Sequence, residues 1–241
     1  MLYFHEYPDF SSLSHVLAQR WLDVVVATPA EQACRFALAG GTTPEPMYRQ
    51  FDALFASAAP RSIQLLATDE RWVADSDPQS NEGLFRHCFS QSAAYWQLIS
   101  LKNAMANPVA AVADINERLE KQFSLPDSPD PLWSAVILGM GTDGHTASLF
   151  PDAPHLLVDD HGSYCIAAQH PQTGQERISL SFSCLLNTQR IWLLITGPEK
   201  RRVLEQALAT GLTHSLLTDV VSPVGTLLAA AHCDVEVFWC P

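Results

Sequence analysis

Four short apolar runs stop abruptly in glycine or charge: "CRFALAGG" (34–41), "SIQLLATDE" (62–70), "LWSAVILGMG" (132–141) and "RIWLLITG" (190–197). Runs of this length, apolar at nearly every position rather than at alternate ones, suit strands covered on both faces. Between them lie segments of helical period. Residues 11–26 place Leu13, Val16, Leu17, Trp21, Val24 and Val25 at helical spacing behind a serine cap. "TTPEPMYRQF" opens a helix for which Pro44 or Pro46 suits the first turn. "NEGLFRHCF" reads as a helix, and "NPVAAVADINERLEKQF" as a longer amphipathic one with Glu117 and Lys121 four apart. "PEKRRVLEQALA" and "SPVGTLLAAA" complete the helices, while "YWQLISL", "SYCIAAQ", "ERISLSF" and "VEVFW" read as further strands. Strands alternating with helices predict an α/β fold of three layers, a mainly parallel sheet with helices on both faces. In such sheets ligands bind beyond the carboxyl ends of the strands.

The expectation is one domain over residues 1–241. The clearest breaker cluster, "PDSPDP" at 126–131, is followed at once by another apolar strand, so it reads as a loop and not a boundary. A formal net charge of -12 argues against a nucleic-acid or anionic-membrane surface, which needs clustered Lys and Arg. Any anionic ligand therefore depends on a few locally placed cations. The six cysteines are scattered without CxxC spacing, so neither a disulfide framework nor a metal site is expected. "MLYFHEYPDF" lacks the basic flank and apolar stretch of a signal peptide, and no segment reaches membrane-span length. The chain reads as soluble and cytoplasmic.

If the sheet is parallel, four strand ends carrying polar or glycine-rich sequence converge on one edge. The first, Gly40-Gly41-Thr42-Thr43, combines hydroxyls, free backbone N–H groups and a helix N-terminus that favour a phosphate; a plain strand-to-helix turn accounts for it equally well. At the second, Arg71 behind Asp69 and Glu70 suits bidentate phosphate capture, although on its own this triplet reads more simply as a solvated ion pair. "GMGTDGHTASLFP" at 139–151 forms the third. It sets His145 one glycine beyond Asp143 on a flexible bend, so that a carboxylate can orient a proton-transferring imidazole. The density of glycines at a strand end favours function over a satisfied loop histidine. At the fourth end, Lys200, Arg201 and Arg202 open a helix, and spacing does not select which of them overlies the sheet edge.

Taken together and in this order, "AGGTTP", "TDERWVADSDPQSN", "GMGTDGHTASLFP" and "ITGPEKRRVL" resemble the 6-phosphogluconolactonases, from about residue 6 to Trp239. Glucosamine-6-phosphate deaminase and ribose-5-phosphate isomerase share that superfamily. The resemblance implies a Rossmann-like fold and hydrolysis of 6-phospho-D-glucono-1,5-lactone, a step of the oxidative pentose phosphate pathway, without metal or organic cofactor. It implies His145 as general base, Asp143 as the group that orients it, and Gly40, Gly41, Thr42 and Thr43 as the phosphate-facing loop. Arg71 and Lys200 match the family's basic residues near the phosphate, and Arg177 matches a recurrent arginine of less defined role. The chain departs from the pattern at Ala39 and Thr42, where serine is common, in the less proline-rich "QHPQTGQERISL", and in stopping at Pro241. A serine-hydrolase triad built on Ser148 is discounted because no GxSxG is present. A deaminase would carry Asn-Glu-Pro after the histidine and tyrosine after Asp-Glu; here Leu149-Phe150-Pro151 and Arg71 stand in those places. The remaining alternative is a catalytically silent sugar-phosphate-binding regulator.

Overall fold

The computed structural model describes residues 1–58, 61–123, 131–157, 162–211 and 222–241. The breaker cluster at 126–131 lies outside the described residues except for Pro131. In chain order the elements are β1 (Leu2–Glu6), α1 (Phe10–Ala27), β2 (Arg35–Leu38), α2 (Glu45–Ser57), β3 (Ile63–Ala67), β4 (Asp69–Arg71), α3 (Asn81–Cys88), β5 (Trp96–Leu98), α4 (Pro108–Phe123), β6 (Ala135–Leu138), β7 (Cys165–Gln169), β8 (Glu176–Leu180), α5 (Phe182–Leu186), β9 (Arg190–Thr196), α6 (Gly197–Gly211), α7 (Pro223–Ala230) and β10 (Asp234–Cys240).

Seven strands form one sheet in the order β1-β10-β9-β6-β2-β3-β5, and every neighbouring pair is parallel. The expected α/β architecture is therefore present, and all seven carboxyl ends share one edge. The central strands are apolar because they are covered on both faces: Ala135, Val136, Ile137 and Leu138 are fully buried, as are Phe36, Ala37 and Leu38. Helix α1 turns Leu13, Leu17, Trp21, Val24 and Val25 inward at three- and four-residue spacing, and Trp21 stacks on Phe51 of α2 with centroids 3.8 Å apart. All six cysteines are free, and only Cys233 is not buried. Among the described residues, no helix is long and apolar enough to cross a membrane.

Several local expectations are corrected. The cap of α1 is Asp9, whose side chain accepts from Ser12 N at 2.8 Å, so the helix starts one residue before the serine pair. Pro44 is the N-cap of α2 and Pro46 sits in its first turn. "SIQLLATDE" is two strands, because the chain leaves the large sheet after Ala67 and starts a second one at Asp69. That second sheet, β4-β8-β7, is antiparallel and takes in both "SYCIAAQ" and "ERISLSF". Strand β1 carries no alternating apolar pattern that marks it in the sequence. Its residues are largely exposed, and its partner β10 lies at the other end of the chain, with Leu2 opposite Val235.

The strand order reverses between β2 and β6. From β2 the chain winds outward through β3 to β5; it then returns across to β6 and proceeds the other way through β9 to β10. Such a reversal leaves a crevice beyond the carboxyl ends of the two diverging strands. The loops that emerge there are 39–44 and 139–147.

Candidate active site

A cleft of about 310 Å³ occupies that crevice, near the lower end of the roughly 300–1,000 Å³ range of small-ligand sites. Gly40, Gly41, Thr42 and Thr43 line it from β2, Gly139, Gly141 and His145 from β6, Lys200 from α6, and Asp69, Arg71 and Arg177 from the antiparallel sheet. Asp143 joins them through His145. All nine residues singled out in the sequence therefore meet at one rim.

The imidazole is oriented by its neighbour. Asp143 Oδ1 lies 2.6 Å from His145 Nδ1 and accepts the His145 backbone N–H at 3.1 Å. Partial burial raises the Asp143 carboxyl pKa, but the hydrogen bonds and charge of His145 outweigh it and hold the group below its ordinary value. An ionised carboxylate only accepts, so the proton of the neutral ring resides on Nδ1 and Nε2 is left as a free base. Phe150, fully buried, packs on the ring with centroids 5.0 Å apart.

The cations arrive by a different route from the one the sequence suggested. Pairing of β4 with β8 places Arg71 directly opposite Arg177 and Asp69 opposite Ser179. Because side chains alternate along a strand, Asp69, Arg71, Arg177 and Ser179 share one face, and Glu70 points away from them. Asp69 and Glu70 are not a solvated ion pair with Arg71: both are buried, Glu70 completely. Glu70 accepts from Arg71 N (2.7 Å), Asn81 N (2.9 Å), Glu82 N (2.7 Å) and Ser80 Oγ (3.0 Å), which places its charge at the N-terminus of α3. Asp69 accepts from Ser148 Oγ at 2.6 Å and from Arg177 Nη1 at 3.4 Å.

Like charges directly opposite on a sheet repel, and the two guanidiniums are held apart in function by their partners. Arg177 spends Nη1 on Asp69 and Ser148 and Nη2 on Gln175 Oε1 at 3.2 Å. Arg71 commits only Nη1, to Gln79 O (2.7 Å) and Asn81 Oδ1 (3.1 Å). Its Nε, like that of Arg177, is buried without a partner, and its Nη2 has no hydrogen-bond partner among the described residues, which leaves that nitrogen able to donate to an anion in the cleft. Lys200 lines the cleft with no hydrogen-bond or ion-pair partner among the described residues, and partial burial lowers its pKa. Arg201 turns away to Glu6 and Glu205, and Arg202 is exposed, so Lys200 is the member of the basic run that reaches the rim.

At the first loop, Gly41 has φ +89, a left-handed turn. Gly40 serves a purpose the sequence did not suggest. A Cβ there would lie 1.8 Å from Asn81 Oδ1, so the missing side chain makes room for Asn81 against the backbone. Asn81 in turn donates to Asp69 O at 2.7 Å. Asn81, Ser148 and Gln175, none of them in the expected set, each make contacts distant in sequence, the first two with Asp69 and the third with Gln79. Ser148 is fully buried and its hydroxyl is spent on Asp69, which agrees with discounting it as a nucleophile. No group of three or more His, Cys, Asp or Glu among the described residues is arranged to hold a metal ion.

Comparison with known proteins gives one consistent family. The model for glucosamine-6-phosphate isomerases/6-phosphogluconolactonase matches residues 8–234. A 6-phosphogluconolactonase of Mesorhizobium japonicum is 32% identical over 247 aligned positions, covering 98% of this chain and 94% of its own. One from Pseudomonas putida is 32% identical over 96% of this chain and 88% of its own. The crystal structure of a 6-phosphogluconolactonase from Shewanella baltica superposes with a TM-score of 0.84 at 28% identity, covering 100% of this chain and 98% of that one.

Proposed function

The chain belongs to the glucosamine-6-phosphate isomerase/6-phosphogluconolactonase family, and on that premise we propose that it hydrolyses 6-phospho-D-glucono-1,5-lactone to 6-phospho-D-gluconate. The observation that carries this reading is the single cleft in which an Asp-oriented imidazole and two cations with uncommitted donors face the same space. His145 Nε2 takes a proton from water as the water oxygen attacks the lactone carbonyl carbon. The tetrahedral alkoxide collapses, the bond from that carbon to the ring oxygen breaks, and the imidazolium returns its proton to the departing oxygen. A δ-lactone is an activated ester, so positioned water and charge stabilisation suffice without a covalent intermediate. Asp143 keeps Nδ1 protonated throughout. With this reaction we infer a cytoplasmic location.

At the far end of the sugar, the phosphate is assigned to Arg71, Lys200 and the backbone of Gly40, Gly41, Thr42 and Thr43. Arg177, with both terminal nitrogens engaged, is assigned to holding Asp69 and Gln175 in place beside that site. Because the phosphate is remote from the reacting carbon, Arg71→Ala and Lys200→Ala are each expected to raise KM about ten- to hundredfold with a smaller effect on kcat, as for loss of charge-assisted hydrogen bonds. Steady-state kinetics on both variants checks this, and unchanged constants in both remove the two residues from the phosphate site.

Deaminase chemistry is disfavoured at the position before Pro151. Where that activity calls for a glutamate, Phe150 lies buried against the imidazole and offers no carboxylate for ring opening. The deciding assay is acid release from freshly generated lactone in mildly acidic buffer, where spontaneous opening is slow. Acceleration over the blank is expected, and no ammonia from glucosamine 6-phosphate. Lactone loss at the blank rate would leave a sugar-phosphate-binding protein without turnover.

A further inference from the structure

Two residues beyond His145 the backbone takes a conformation that alanine rarely adopts. Ala147 has φ 50, the one positive value outside glycine among the described residues. Leu149 N donates to Thr146 O at 3.0 Å, closing a four-residue turn with Ala147 in second place. Positive φ at that place alone defines a turn whose usual occupant there is glycine. A side chain disfavours the left-handed conformation by about five- to thirtyfold in population, so something else must hold the turn.

The restraint lies in the next residue. Ser148 is fully buried and donates from Oγ to Asp69 Oδ2 at 2.6 Å, and its backbone N–H donates to Ser179 Oγ at 3.3 Å. Arg177 Nη1 reaches both Ser148 Oγ (3.5 Å) and Asp69 Oδ2 (3.4 Å). These bonds tie the loop that leaves β6 of the large sheet to β4 and β8 of the small one. Thr146 Oγ1, donating to Gly139 O at 2.9 Å, fastens the other side of the turn to the end of β6. His145 is thus the residue just before a turn that is pinned at both ends and unfavourable in the middle.

We propose that Ser148 is a positioning residue for the imidazole: its buried bond to Asp69 keeps Ala147 left-handed, and the turn so held aims His145 into the cleft. Ser148 does not itself line the cleft, so it acts through His145, and the kinetic part of the proposal rests on the reading of His145 as the base. Without the hydroxyl, Asp69 loses its shortest bond, Ala147 relaxes to ordinary φ, and the ring leaves its place against Asp143.

Ser148→Ala is expected to lower kcat about ten- to hundredfold, the scale of a small misplacement of a reacting group, with KM within about threefold. Adding Ala147→Gly to that variant removes the steric cost of the left-handed turn and is expected to restore kcat at least about fivefold. A hydroxyl acting directly on substrate could not be replaced in this way. The resting protein supplies a second readout: the His145 ring resonance in the proton NMR spectrum, identified by its loss in His145→Asn, shifts in Ser148→Ala and moves back in the double variant. Ala147→Val, which leaves the hydroxyl intact and makes the same conformation costlier, displaces that resonance as well and covers the case in which Ser148→Ala does not fold. If the parent does not hydrolyse lactone but the resonance follows this pattern, the functional reading fails and the positioning stands. A double variant as slow and as shifted as Ser148→Ala, or a His145 resonance that ignores both Ser148→Ala and Ala147→Val, overturns the proposal.

Discussion

His145→Asn is expected to lower kcat for lactone hydrolysis by about two to four orders of magnitude, the usual contribution of a positioned general base. Asparagine keeps an N–H that can face Asp143 but has no basic nitrogen to replace Nε2, so the proton of the attacking water has no acceptor. The side chain of His145 is 28% exposed, and its replacement leaves the core beneath it untouched. KM should therefore move little, because the assigned phosphate contacts come from other strands. The measurement is kcat by acid release, with the melting temperature as a control on folding. A variant within threefold of the parent would remove His145 as the base and direct attention to Asp69, whose carboxylate lines the cleft.

A comparable loss is expected from a methyl group added beside the ring. Gly141 has no positive φ to protect, so alanine fits its backbone; the obstacle is space. A Cβ there would lie 2.2 Å from His145 Nδ1, 2.3 Å from its Cε1 and 2.5 Å from Asp143 Oδ1. The hydrogen bond that sets the tautomer runs through that position, and the ring or the carboxylate has to move by about an ångström to make room. Displacement on that scale costs about a hundredfold in rate, so Gly141→Ala should lose at least that much kcat while KM stays near the parent's. Gly141 N also donates to His145 O at 2.9 Å, and alanine retains that bond, so the fall is attributable to the side chains. A rate within threefold of the parent would mean that the pair tolerates displacement and that its geometry does not limit catalysis.

That a histidine beside an aspartate at a strand end is a candidate for proton transfer is legible in "GMGTDGHTASLFP", because turn chemistry and titratable groups are local properties. That Gly141 is needed for the ring to dock is not, since the string says nothing of which atoms meet. The same divide runs through the fold. Continuous apolar runs such as Ala135–Leu138 announce strands buried on both faces, whereas β1, exposed and paired with a strand 233 positions away at Leu2–Val235, carries no local sign of its partner.

Glu70 shows why charge is the hardest feature to read. Beside Arg71 in the sequence it resembles one half of a surface ion pair; in the fold it is fully buried and accepts four hydrogen bonds, two of them from the first backbone N–H groups of α3, those of Asn81 and Glu82. Arg177 is similar: "QHPQTGQERISL" gives it no defined task, and only the pairing of β8 with β4 sets it opposite Arg71.

By itself, then, the sequence determined the layered α/β class, the edge at which the candidate site residues gather and the imidazole–carboxylate pair, since periodicity, strand ends and turn residues are written within a dozen neighbouring positions. Only the tertiary structure decided which cations reach the rim, that Asp69 and Glu70 are buried, and that Ser148 is hydrogen-bonded to Asp69 beside the positive-φ Ala147. Those outcomes depend on partners about 10 to more than 100 residues apart, and a side chain's burial and charge environment are properties of the packed surroundings, not of its neighbours along the chain.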